Sequence, residues 1–318
     1  MQTQIPFKKV LWPIDPLVSD QRLQALTARA LMPFREKFDF KLQPVSVILE
    51  GQLPYIFPQG FKLNDAVKEL ESSVSKWLTN IHIGTFEKPR VLVEKTFSIK
   101  ASVQAVLRLA KEAHCDLIAA STHAKERTDD LDFGTFSETL FLSSSVPLLL
   151  VNAGTRMVEK YSEVLFATDI SKASERALYA VGELAKFIDG RVNLFHRLDT
   201  ADDLPLNRLS QNKEARAKYA ELEQTRREQV LWEWVEHLKN EGVRADFIIE
   251  RTPSLHTSSA ILAHSQRLGA NLIALVSQTL EAHTYPGSVT RQVVRAAHIP
   301  VLVLHPGTRF KKHTIDQR

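Results

Sequence analysis

Residues 133–152, FGTFSETLFLSSSVPLLLVN, are written again in altered letters at 286–306, PGSVTRQVVRAAHIPVLVLHP. The echo extends along the chain. KKVLWPIDP (8–16) answers SEVLFATDI (162–170), which aligns Asp15 with Asp169, and EKTFSI (94–99) answers ERTPSL (250–255). DLIAAS (116–121) answers NLIALV (271–276), and Pro147 answers Pro300. The copies stay collinear over about half the chain, so the repeat is a duplicated domain and not a solenoid, whose units run to roughly 20–50 residues. A chain of 318 residues has room for two domains with separate cores. The boundaries expected are 1–153 and 154–318.

Within each copy, short apolar strands alternate with helical periodicity. The spacing predicts strands at 9–14, 40–49, 90–96, 116–121 and 147–152, then at 163–168, 191–197, 244–251, 271–277 and 300–305. Between them, SERALYAVGELAKF (174–187) places Ala177, Val181, Leu184 and Ala185 on one helical face. AVKELESSVSKWL (66–78) and the segment 214–240 are the second helices. Alternating strands and helices imply parallel pairing through right-handed crossovers. Runs such as VPLLLV suit strands covered on both faces. The expected fold class is α/β: two tandem doubly wound five-stranded parallel sheets of order 3-2-1-4-5, Rossmann-like in plan.

Sheets of that order bind ligands beyond the carboxyl ends of their strands, where the strand order reverses. The polar residues there are Asp15 and Asp169, and the helix starts Gly134-Thr135 and Gly287-Ser288. A strand ending in V-x-x-x-D, then D-L-I, then G-[ST] opening a helix, then V-P-[LV]-L-[LV]-V resembles the universal stress protein family over nearly the whole chain. The resemblance implies a five-stranded α/β domain that pairs through its last strand. It also implies ATP or another adenine nucleotide in those members that keep G-x2-G-x9-G-[ST].

Carried over residue by residue, that motif is degenerate. The first copy keeps the spacing as Ser121-x2-Ala124-x9-Gly134-Thr135, with Ser137 in the same helical turn, but lacks the first two glycines. The second has Val276 and Thr279 there, and a loop two residues shorter before Gly287-Ser288. A side chain forced into the left-handed region costs about 1–2 kcal/mol, so the β-branched Val276 fits worst. Val45 stands at the position that the resemblance places beside adenine, and its counterpart is read as Arg197. The connecting loop KERTDDLD (125–132) carries four acids against two bases, which repels polyphosphate. Any adenine nucleotide is therefore expected in the first copy, and a lone anion in the second, at Ser288 with Arg291.

The remaining features point away from catalysis. A net charge of +4 spread over 78 charged residues, with no long basic run before the last ten residues, where RFKKH (309–313) reads as a solvated tail, argues against nucleic acid. Cys115 is the only cysteine, which excludes an internal disulfide and suits a reducing compartment. No apolar run approaches the ~18 residues of a membrane span, so a cytoplasmic protein is expected. His256 and His264 lie eight residues apart without ligand-spaced partners, Ser143–Ser145 lack a G-x-S-x-G setting, and Trp77, Trp232 and Trp234 read as packing residues. The expectation is a stress-response or regulatory binding protein, not an enzyme, with unnamed client proteins. It is expected to be a monomer whose fused halves mimic a dimer. An adenine-nucleotide switch or slow ATPase using the first half, and a scaffold without small ligand, are the alternatives.

Overall fold

The computed structural model describes residues 4–17, 22–81, 84–122, 135–198, 213–252, 256–277, 288–305, 308 and 313–314. The chain divides into two compact units. One comprises Met1–Glu159, Val294–Val303 and Phe310–Arg318, the other Lys160–Val293 and Leu304–Arg309.

The first unit runs β1 (Gln4–Ile5), β2 (Lys9–Pro13), α1 (Arg22–Ala30), α2 (Met32–Arg35), β3 (Lys41–Leu49), α3 (Leu53–Ile56), α4 (Leu63–Thr79), β4 (Arg90–Glu94), α5 (Ile99–Glu112), β5 (Leu117–Ser121), α6 (Thr135–Ser143) and β6 (Leu148–Val151). Its parallel strands lie in the order β4-β3-β2-β5-β6, the expected 3-2-1-4-5. Successive residues of β2, Val10, Leu11 and Trp12, are all fully buried. Both faces of the strand are therefore covered, which is what its unbroken apolar run requires. On α4, Ala66, Leu70, Val74 and Leu78 recur every four residues and form the buried stripe. The short β1 pairs antiparallel with β12 (His313–Thr314), a detail with no sequence signal.

The second unit runs β7 (Glu163–Ala167), α7 (Lys172–Ile188), β8 (Arg191–Arg197), α8 (Lys213–Asn240), β9 (Arg244–Glu250), α9 (Thr257–Arg267) and β10 (Leu272–Val276). Its strands lie parallel in the order β10-β7-β8-β9, again 4-1-2-3 in copy numbering. Ser171 caps α7 by accepting the Ser174 N–H at 3.2 Å. The helix then buries Ala177, Val181, Leu184 and Ala185, the stripe read from sequence.

After α10 (Ser288–Ala296), the last strand of the second copy, β11 (Val301–Leu304), lies antiparallel to β6. The register is Leu148↔Val303, Leu149↔Leu302 and Leu150↔Val301. Leu149 and Leu302 are repeat equivalents, and the flanking pairs exchange under the repeat. The pairing of these two strands is thus self-complementary.

Two local devices recur with the repeat. In NAGT (152–155) the Asn152 N–H donates to Thr155 Oγ1 at 2.9 Å, and in HPGT (305–308) the His305 N–H donates to Thr308 Oγ1 at 2.9 Å. Asn152 does more: its side-chain amide donates to the carbonyls of Val294, Arg295 and Ala297 at 2.8–3.1 Å, satisfying the end of α10. The other device is the left-handed residue that closes α5 and α9. It is His114 (φ 51°) in one copy and Gly269 (φ 63°) in the other. Only glycine takes that conformation freely.

Two stability outcomes follow, both measurable by urea unfolding. Asn152→Ala, which leaves carbonyls at a buried helix end without a donor, should cost about 1–3 kcal/mol. His114→Gly should stabilise by up to about 1 kcal/mol, because relief of the left-handed strain outweighs the added freedom of the unfolded chain.

Candidate functional site

In the first unit, β2 has β3 on one side and β5 on the other, so the chain leaves the sheet in opposite directions around its carboxyl end. A cavity of about 210 Å³ opens there. Pro13, Ile14 and Asp15 form its floor, and Val45, Val47 and Leu49 of β3 one wall. These three alternate along the strand, which puts them on one face of the sheet. Ala120 and Ser121 of β5, Ser102 and Val106 of α5, and Phe136 and Ser137 of α6 close the other sides. Gln24 of α1 and Gln52, in the turn before α3, complete the described lining.

The polar side chains of this lining are largely engaged with the backbone. Gln24 is buried and clasps Asp15 twice: its Oε1 accepts the Asp15 N–H at 3.0 Å and its Nε2 donates to the Asp15 carbonyl at 2.8 Å. That clasp fixes the chain direction as it leaves β2. Ser137 Oγ donates to the Ser121 carbonyl at 2.6 Å and ties α6 to the end of β5. Gln52 Oε1 accepts the Leu49 N–H at 2.8 Å. The Asp15 carboxylate, half-buried, accepts the Leu17 N–H at 2.9 Å. It is the only ionised group among the described lining residues.

Asp15, Val45, Ser121 and Ser137, singled out by sequence, thus come together on one cavity. Thr135 opens α6. Ala124, Gly134 and Gly287 lie outside the described residues. Sequence reasoning missed Gln24, Gln52, Ser102, Val106 and Phe136. The signal for part of the wall was present: Val47 and Leu49 follow Val45 at a spacing of two.

The second unit differs at the equivalent place. Asp169 accepts the Ser171 N–H at 3.0 Å and the Ser174 hydroxyl at 2.7 Å. Desolvation alone would raise its pKa, but these hydrogen bonds outweigh it and hold the carboxyl below its ordinary value. The register corrects one expectation. Val45 lies opposite Pro13, and the residue opposite the equivalent Ala167 is Phe195, so Arg197 occupies the register of Val47. Phe195 is fully buried, with the His264 ring 5.1 Å away. Ser288 opens α10, and Arg291 follows within the same turn, partly buried.

His264 Nε2 lies 2.7 Å from Glu250 Oε2, and both side chains are largely buried. Glu250 Oε1 also accepts the Thr252 hydroxyl and the N–H groups of Thr252 and Arg251. Hydrogen bonds from Thr252 and His264 hold the Glu250 carboxyl down at about 2. Cys115 is buried, and desolvation pushes its thiol up to about 11, as an inert core thiol requires. Among the described residues no group of three metal-ligating side chains occurs, and no helix is long and apolar enough to cross a membrane.

Residues 160–305 match the model of the universal stress protein family. A universal stress protein from Archaeoglobus fulgidus DSM 4304 has the same fold at 18% identity, with a TM-score of 0.61 over 97% of this chain and 98% of that one. A Pseudomonas aeruginosa UCBPP-PA14 protein assigned provisionally to the family gives 12% identity and a TM-score of 0.59, over 94% and 93%. A second Archaeoglobus fulgidus member, solved in complex with dAMP, matches 45% of this chain and 97% of its own, at 20% identity and a TM-score of 0.32. Comparison with curated proteins gives no match. The family match thus covers residues 160–305, and the likeness to solved universal stress proteins extends the same α/β fold over nearly the whole chain.

The Glu250 arrangement sets a pH dependence. A folded-state pKa of about 2 against an ordinary 4.5 stabilises the fold above pH 4.5, and that contribution is lost as pH falls towards 2. At neutral pH it should be on the order of 2 kcal/mol. Glu250→Gln should therefore lower the unfolding midpoint at pH 7 and converge on the parent protein near pH 2, as followed by thermal denaturation across that range.

Proposed function

We propose that this protein is a non-catalytic, stress-response binding protein whose regulatory ligand, an adenine nucleotide or its nucleoside, occupies the cavity of the first half. The observation that carries the reading is the convergence of Asp15, Val45, Ser121 and Ser137 on one cavity at the strand-order reversal. Its apolar walls suit a flat ring, and its few polar groups suit orientation of that ring. The absence of catalysis is supported by how the hydroxyls are used: Ser137 donates to a backbone carbonyl and not to a base. The residues at Phe195 and Arg197, bulkier than Val45 and Val47, support restricting the ligand to the first copy.

The duplicated domains are read as 1–153 and 154–318, acting as a cytoplasmic monomer. The exchange-symmetric register of β6 with β11 supports a chain that supplies both sides of its own dimer-like contact. The single buried thiol supports a reducing compartment.

The test is titration calorimetry on the full chain with adenosine, AMP and ATP. One equivalent of at least one of them should bind, and Val47→Trp, which fills the cavity from a half-buried position, should weaken it at least about tenfold with the circular dichroism unchanged. Phosphate release from ATP should stay at the rate of the buffer. If no adenine compound binds, or if Val47→Trp binds like the parent, the reading is wrong.

A further inference from the structure

We infer that the cavity of the first half selects a nucleoside-sized ligand that donates hydrogen bonds and carries no phosphate. The inference rests on the reading of this cavity as the ligand site, and deepens it by naming the charge class of the ligand. Three observations support it.

Size comes first. A cavity of about 210 Å³ falls below the roughly 300–1,000 Å³ of drug-sized sites. It suits a base and sugar better than a base, a sugar and a polyphosphate.

Charge is the second. The described lining holds one ionised group, the Asp15 carboxylate, and no lysine, arginine or histidine. Phosphate sites are built from such cations or from backbone N–H groups at close approach. The chain joining β5 to α6 adds no cationic surplus, since residues 123–134 carry four acids against two bases, Lys125 and Arg127.

The third is the direction of hydrogen bonding. Ser137 gives its hydroxyl proton to a backbone carbonyl at 2.6 Å, and Gln24 gives one of its two amide N–H groups to another at 2.8 Å. The neutral amides of Gln24 and Gln52 keep N–H groups to spare, but the one charged group of the described lining is an acceptor. Among the described residues the Asp15 carboxylate takes one bond, from the Leu17 N–H, whereas a carboxylate has about four acceptor sites. A sugar hydroxyl or an exocyclic amine can fill that capacity. An ionised phosphate, which has acceptors only, cannot, and it meets a like charge.

Titration of the full chain with adenosine, AMP and ATP tests the inference. Adenosine should bind at least about tenfold more tightly than AMP or ATP, and the preference should shrink as salt is raised. Asp15→Asn is isosteric and keeps an oxygen for the Leu17 N–H. It should weaken adenosine about tenfold through loss of a charge-assisted hydrogen bond, and it should narrow the gap to AMP by removing the repulsion. A site that excluded AMP by size alone would leave that gap unchanged, which would count against the inference. AMP or ATP binding as tightly as adenosine, at a site that Val47→Trp blocks, would overturn the inference while leaving the cavity as the ligand site. Failure of all three compounds to bind would overturn the reading beneath it as well.

Discussion

Reversal of strand order at β2 is the constraint from which the site follows. A parallel strand must send its chain back across one face of the sheet, and neighbours on either side send theirs in opposite directions. The end of β2 is therefore the one place where no connection crosses over, and the backbone there must be held by side chains. Gln24 does this in the first unit through its two bonds to the Asp15 backbone. In the second, Asp169 is held by Ser171 and Ser174, the first turn of α7. The two aspartates align in sequence, yet the Asp15 backbone is clamped by Gln24 and its carboxylate lines a cavity, whereas the Asp169 carboxylate accepts from Ser171 and Ser174.

Most of the sheet was legible in the sequence because the strands are covered on both faces. LLLV, VLVL and LIAAS are runs that no amphipathic helix would tolerate, and each is bounded by proline, aspartate or a turn. The shape of the cavity was not legible. Its wall depends on the turn at Glu50–Gln52, where Gln52 folds back onto Leu49, and on Phe136 and Ser137 meeting Ser121 across the sheet end. The first is a fold-back over three residues and the second joins residues 16 apart, and hydrophobic periodicity carries no trace of either. The register of β8 was misjudged for a similar reason. Aligning letters places Arg197 with Val45, whereas backbone pairing along β7 places Phe195 there. A two-residue slip keeps every side chain on its face, so hydrophobic alternation cannot detect it.

The repeat also records where the copies have been free to diverge. Helix ends, the self-complementary strands and the N-x-x-T and H-x-x-T turns keep their geometry, because each satisfies buried backbone groups that any sequence would have to satisfy. Residues at the carboxyl ends of the strands have no such obligation. They differ between copies in size and charge, as Val47 and Arg197 do.

His264 shows how far that divergence reaches into a core. The helix closures at His114 and Gly269, and the strands that follow, align Leu109 of α5 with His264 of α9, and both are buried. An apolar leucine in one copy is thus an imidazole in the other, with its ring against Phe195. Such a ring needs a polar partner, and Glu250 supplies it at 2.7 Å. The carboxylate in turn needs donors, which Arg251 and Thr252 provide from the turn beyond β9. One polar substitution in a helix therefore commits a strand end and a turn to its support. A buried pair of this kind stabilises no better than well-packed leucine, and removing either partner alone is costly. The pair is held in place by its own interdependence: placing leucine at His264 would require Glu250 to be replaced with it.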